Sequence, residues 1–136
     1  MYQMTAEYLG GLRTTGTHLK SGNTVITDAP TDNNGRGEAY SPTDLVSAAL
    51  CSCMMTIMGI VAARENIVFE GITATIEKIM TKEPPRKIAG IHIAFTLPDP
   101  QQLTPKQAEI LKRAAHTCPV ALSLHPDIVQ EVSFNF

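Results

Sequence analysis

Ser41-Pro42-Thr43-Asp44-Leu45-Val46-Ser47-Ala48-Ala49-Leu50-Cys51-Ser52-Cys53-Met54-Met55-Thr56-Ile57-Met58-Gly59-Ile60-Val61-Ala62-Ala63 is the stretch around which the rest of the chain is read. From Leu45 to Ala63 it holds no charged residue, and its start has the chemistry of a helix beginning. Ser41 can accept a hydrogen bond from a first-turn amide, Pro42 suits the first helical position because it has no N–H to leave unpaired, and Asp44 brings a carboxylate to the free amides. The expected helix spans Pro42 to about Glu65, a length of about 36 Å. A run of about 20 apolar residues can also cross a bilayer. Here Ser47, Ser52, Thr56, Gly59 and the alanines dilute the run, and no basic cluster sets an orientation, so the expectation is a core helix with no membrane partner. A helix apolar all round must be buried on most sides. A chain of 136 residues seldom encloses one alone, so a second subunit is expected to help.

Upstream, Tyr2, Met4, Ala6 and Tyr8 alternate with polar residues, and Leu12 to Leu19 and Asn23 to Thr27 can form further strands, bounded by Gly10-Gly11 and Ser21-Gly22. This predicts an antiparallel meander. Ala29 to Glu38, rich in Asn, Asp, Gly and Pro, reads as a loop leading to the capped helix. Downstream, Ile72, Ala74 and Ile76 alternate with polar residues, and Ile91, Ile93 and Phe95 repeat the pattern beyond Pro84-Pro85, predicting two strands and a turn. Leu103-Thr104-Pro105-Lys106-Gln107 has a Thr cap, a first-turn proline and a glutamine at the capping-box position, opening a helix with Ile110, Leu111 and Ala114 on one face. That helix should end near Thr117. Pro119 then suits a short helix to about Leu124, and Val129, Glu131 and Phe134 a last strand. The expected class is α+β, in one domain over residues 1–136.

The formal charge of −2 and the lack of a basic run argue against a nucleic-acid partner, which requires clustered cations, so none is expected. Three cysteines are too few for a disulfide scaffold, and Met1-Tyr2-Gln3-Met4 lacks the charged and apolar regions of a signal peptide, so a cytoplasmic setting is expected. The three thiols are therefore read for chemistry. Cys51 and Cys53 sit two apart on the expected helix and point about 200° away from each other, so only one can face a given site. Cys118 precedes Pro119 and would cap the short helix, where free amides favour thiolate. Together with His116 these are zinc-type ligands, but two ligands on one helix should stand three or four apart to converge, so no metal is expected.

Ser41-Pro42-Thr43-Asp44-Leu45, Ala48-Ala49-Leu50, Ser52-Cys53 and, much later, Cys118-Pro119-Val120 resemble the two signature segments of the OsmC/Ohr family (osmotically induced protein C and organic hydroperoxide resistance), in the variant of a less characterised branch. The order of elements is similar over nearly the whole chain. The resemblance implies an OsmC-like fold, antiparallel sheets with a long central buried helix, in an intertwined homodimer. It implies a thiol-dependent peroxidase of the oxidative stress response, reducing organic hydroperoxides or hydrogen peroxide, with Cys53 as the reactive and Cys118 as the resolving cysteine. An external dithiol would restore them, with no cofactor. Cys51 has no counterpart in the pattern and reads as core. Arg13, after the pair Gly10-Gly11, resembles the family's active-site arginine, although an arginine on a strand can equally be a solvated surface residue. The family pattern has a glutamate ten residues before the reactive cysteine to orient that arginine. Here the position is Thr43, which cannot pair ionically. Asp44, the next residue, also serves the helix cap, and Glu38 on the approaching loop can substitute. His116 is a possible proton carrier, or a surface or capping group, and Met54, Met55 and Met58 either line an apolar pocket or fill the core. The alternative function is a dimeric, non-catalytic carrier of a small lipid-like molecule on the same fold.

Overall fold

The local signals at both helix starts are realised in the computed structural model, which describes residues 1–100 and 103–136. The Asp44 amide donates to Ser41 Oγ at 3.0 Å and the Ser41 amide donates back to Asp44 Oδ2 at 3.0 Å, a reciprocal cap that satisfies donors a helix start leaves open. From it α1 runs Pro42–Arg64. At Thr104 the same device recurs, with the Gln107 amide on Thr104 Oγ1 at 3.1 Å and the Thr104 amide on Gln107 Oε1 at 3.0 Å, and α2 spans Pro105–Ala115. The chain forms two compact units, Met1–Val46 and Ser47–Phe136.

The first unit is a meander of β1 (Met4–Gly10), β2 (Arg13–His18) and β3 (Thr24–Asp28), antiparallel throughout. Gly10, Gly11 and Leu12 all have positive φ, at 83°, 60° and 62°, so the β1–β2 turn needs its glycine pair to reverse so tightly. Its buried side chains are polar: Thr27, Asp28 and Ser41. Met4 and Tyr8 are 64% exposed, and Val25 and Ile26 also face outward. The segment after β3 turns back on itself, Gly35 and Gly37 amides donating to Pro30 and Ala29 carbonyls at 2.9 and 3.1 Å. A Cβ at Gly35 would collide with the Ala29 carbonyl, so only glycine permits that approach.

The second unit packs most of α1, with α2 and α3 (Pro119–Ser123), on a sheet ordered β4 (Thr73–Met80), β5 (Ile88–Thr96), β6 (Val129–Asn135). Every second residue of the central strand, Ile91, Ile93 and Phe95, is buried with Leu50, Met54 and Met58 of α1 and Leu111 of α2, as a strand with one core face requires. The sheets are antiparallel except at one ladder: β6 runs parallel to β5, with Ile93 opposite Val132 and Phe95 opposite Phe134. The expectation of antiparallel sheets is corrected there. The chain leaves β5 and returns through α2 and α3, and a long helical crossover of this kind brings the next strand back in the same direction. Helix α1 is buried along one stripe, Ser47, Leu50, Cys51, Met54, Met58, Val61 and Ala62. Its other face, with Ala49, Ser52, Thr56, Ala63 and a 53%-exposed Ile60, remains open in the single chain.

Candidate active site

Cys51 and Cys53 take the opposed environments that their spacing predicts. Cys51 is 4% exposed in the core, where burial pushes its thiol up. Cys53 is half-buried, and its side chain lies near enough to that of Cys118, 65 positions away in sequence, to act on the Cys118 thiol. The backbone explains why Cys118 is held there. It is the N-cap of α3, extended at φ −67° and ψ 143°, and its Sγ accepts from the Ala121 amide at 3.3 Å. Gln130 of β6 donates to the Ala121 carbonyl at 2.9 Å and ties that short helix to the sheet.

The cap geometry forms as expected, but its electrostatic consequence is reversed. Cys118 is fully buried. Burial raises its pKa above the ordinary thiol value, the Ala121 and Val120 amides offset this only in part, and the hydrogen bond and charge of the Cys53 sulfur raise it further. Desolvation outweighs the amides because the sulfur has lost its water altogether. The Cys118 thiol is therefore harder to ionise than a free one, and it lies beside the side chain of Cys53.

Met54 and Met58 are fully buried core residues, while Met55 is half-buried and lines a separate groove of about 350 Å³ with Thr56, Gly59, Phe69 and Ile72. The three methionines thus do not form one pocket beside Cys53. His116 closes the C-terminus of α2, its amide donating to the Arg113 carbonyl at 3.2 Å, and its ring lies edge-on to Phe134 with centroids 6.0 Å apart. His116 thus stands at the C-cap position of α2. Among the described residues, no three His, Cys, Asp or Glu side chains are grouped as a metal site.

In the first unit Arg13 is not a freely solvated strand residue. Its Nε donates to Asp28 Oδ1 at 2.7 Å and its Nη2 to Asp28 Oδ2 at 2.8 Å, the two-point pairing for which a planar guanidinium is suited. The Glu38 amide donates to the same Oδ2 at 3.2 Å. Glu38 Oε1 itself lies 3.5 Å from Arg13 Nη2. Thr43 and Asp44 are engaged at the start of α1, Thr43 Oγ1 lying 3.2 Å from Ser41 Oγ. Hydrogen bonding from Arg13 holds the Asp28 carboxyl below the usual carboxylate range against the effect of burial, and the Arg36 charge contributes. Arg36 can come close because Gly11 has no Cβ, which would run into its guanidinium.

Asp28 and Arg36 are the residues that sequence reasoning missed. A signal for Asp28 existed: β2 and β3 pair Thr17 with Thr24, and counting outward from the Ser21-Gly22 turn places Asp28 opposite Arg13. Nothing in the sequence pattern marked Arg36.

Residues 35–133 match the family model described as OsmC-like protein. No curated protein matches the chain. Among solved structures, a candidate osmotic stress induced and detoxification response protein from Psychrobacter arcticus 273-4 is 48% identical, with 98% of this chain and 96% of that chain covered and a TM-score of 0.93. An organic hydroperoxide resistance protein OsmC from Legionella pneumophila shares 21% identity over 100% of this chain and 98% of that one, with a TM-score of 0.75. A candidate organic hydroperoxide resistance protein from Vibrio cholerae O1, with captopril bound in one active site, shares 21% over 99% and 92%, with a TM-score of 0.71. The last two likenesses concern the fold.

Proposed function

The chain belongs to the OsmC-like protein family, and from that premise we propose that it is a thiol-dependent peroxidase that reduces organic hydroperoxides through Cys53 and Cys118. The observation that carries this reading is the nearness of the Cys53 and Cys118 side chains, which the fold brings together from far apart in sequence. The name of the Psychrobacter protein, which refers to osmotic stress and a detoxification response, supports it.

In the proposed cycle the Cys53 thiolate attacks one oxygen of the hydroperoxide. An S–O bond forms and the O–O bond breaks, giving the Cys53 sulfenic acid and an alkoxide that takes a proton from water and leaves as the alcohol; sulfur is oxidised by two electrons and the peroxide is reduced. The Cys118 sulfur then attacks the sulfenic sulfur of Cys53. An S–S bond forms, the S–O bond breaks, and the hydroxyl leaves as water with the proton that Cys118 has kept. An external dithiol reduces the disulfide by exchange and is itself oxidised. Arg13 is assigned to favour the Cys53 thiolate by its positive charge. The working form is a homodimer, a proposal supported by the open second face of α1, where small residues and an exposed Ile60 lie uncovered and uncharged between Ala49 and Ala63. Sedimentation at micromolar concentration should show that dimer, and a folded monomer alone would remove it from the proposal.

The direct test is consumption of cumene hydroperoxide with a dithiol reductant. Cys53→Ser should abolish turnover, a loss of at least about a thousandfold when the nucleophile is gone, while Cys51→Ser should retain most of it. Non-reducing peptide mapping after one equivalent of peroxide should recover a Cys53–Cys118 disulfide. A Cys51–Cys118 link, or equal loss from both serine variants with folding intact, would overturn the assignment.

A further inference from the structure

We infer that Asp28 is the positioning residue for Arg13, performing on β3 the task that the family pattern gives to the position held here by Thr43. This rests on the proposed reading that Arg13 serves the Cys53 thiolate.

Three carboxylates are near enough in sequence or space to be considered, and geometry separates them. Asp44 spends Oδ2 on the Ser41 amide at the start of α1. Glu38 reaches Arg13 at one point only, at 3.5 Å, with its side chain 66% exposed. That distance lies beyond the usual range of about 2.7–3.2 Å, and an exposed pair of this kind is screened by water and weak. Asp28 meets Arg13 at two points, both within that range, and its side chain is 0% exposed.

Asp28 is itself immobilised. It stands at the end of β3 directly opposite Arg13 of β2, and the Glu38 amide holds Oδ2 from a third side. A carboxylate fixed by backbone pairing and by a backbone donor fixes in turn the plane of the guanidinium it binds. Because the pairing uses Nε and Nη2, it is side-on and leaves Nη1 outside the pair.

The test measures Cys53 alkylation by iodoacetamide as a function of pH, beside peroxide turnover. Asp28→Asn keeps the shape but removes the charge. It should slow neutral-pH alkylation of Cys53 severalfold, move the profile to higher pH, and lower turnover by at least about tenfold, within the scale of about a hundredfold for a group displaced by 1 Å. Glu38→Gln, which keeps the backbone donor to Asp28, should change both far less than Asp28→Asn does. In an Arg13→Ala background, Asp28→Asn should have no further effect on alkylation, because Asp28 acts through the guanidinium; a merely structural role would add to the loss instead. Should Asp28→Asn not fold, Arg13→Lys carries the test, since it keeps the cation and loses the two-point bond, and should give an intermediate profile.

A wild-type alkylation profile in Asp28→Asn or Arg13→Lys, or additive losses in the double variant, overturns the role of Asp28. Failure of the peroxidase reading is a separate result. It would show as absent turnover in the unsubstituted protein, while the alkylation series still reports on Asp28 because it needs no peroxide.

Discussion

The two units of this chain are held together by different physics. In Ser47–Phe136 the buried residues are apolar: Leu50, Met54 and Met58 of α1 close on Ile91, Ile93 and Phe95 of β5. In Met1–Val46 the buried side chains are Thr27, Asp28 and Ser41, each hydrogen-bonded, while Met4, Tyr8, Val25 and Ile26 face outward. One unit is organised by removing hydrocarbon from water and the other by fixing a charge. Each suits the part it is assigned in the proposed chemistry. A dry core keeps the Cys118 proton in place until it is needed, and a three-stranded frame with a buried carboxylate aims a guanidinium.

The largest effect expected from this contrast is on stability. Phe95 is fully buried and stacked on Phe134 with ring centroids 5.6 Å apart, so Phe95→Ala should lower the unfolding free energy by about 3–5 kcal/mol through lost burial and the cavity left behind. Met4→Ala, at an exposed position of the first unit, should change it by no more than about 0.5 kcal/mol. Urea titrations of the two variants at one protein concentration make the comparison. Similar losses from both would mean that the first unit has an apolar core after all.

How much of this could be read in advance follows the same division. The caps of α1 and α2 were legible because their partners lie three residues apart, Ser41 with Asp44 and Thr104 with Gln107. The core face of β5 was legible from strict alternation. The pairing of Cys53 with Cys118 was legible only through the family resemblance, since no local rule joins residues on separate helices. Asp28 went unread because the expected strand Asn23–Thr27 ends one residue short of it, and its role depends on hairpin register rather than on pattern. The parallel placement of β6 was hidden for a related reason: alternation shows which face of a strand is buried but not which way the strand runs.

A second prediction sharpens the contrast with acid. The Asp28 pKa is lowered, first by hydrogen bonding from Arg13 and then by the charges of Arg13 and Arg36 and the Glu38 amide. In the unfolded chain the group titrates near the ordinary value of about 3.9. Its contribution to stability is therefore complete above that value. It disappears as pH falls through the lower, folded value, because the unfolded state takes up the proton first. Wild-type stability should decline below about pH 4, and Asp28→Asn should be less stable at neutral pH and lose that part of the acid slope. Denaturant titrations at neutral pH and along the acid limb check both. An acid slope unchanged in Asp28→Asn would mean that the decline comes from other carboxylates and that the first unit does not depend on this one.

The smallest effect lies at the other end of the pH scale and belongs to the second unit. Burial raises the pKa of Cys51, and burial together with the Cys53 sulfur raises that of Cys118. A thiol whose folded pKa is raised contributes stability that is complete below the unfolded value and is lost as pH rises, because the unfolded chain releases the proton first. Stability should thus fall gradually above about pH 8.5, where free cysteine ionises, and should level off only once the folded thiols also ionise. Cys118→Ala should make this alkaline slope shallower, Cys51→Ala should do so as well, and the double variant should nearly remove the thiol contribution, since the two sulfurs lie in different surroundings. Asp28→Asn should leave the slope as it is, because its charge does not change in this range. If the acid and alkaline limbs both responded to Asp28, or neither alkaline slope changed on removing the thiols, the division between a unit ordered by charge and a unit ordered by burial would not describe how this chain holds together.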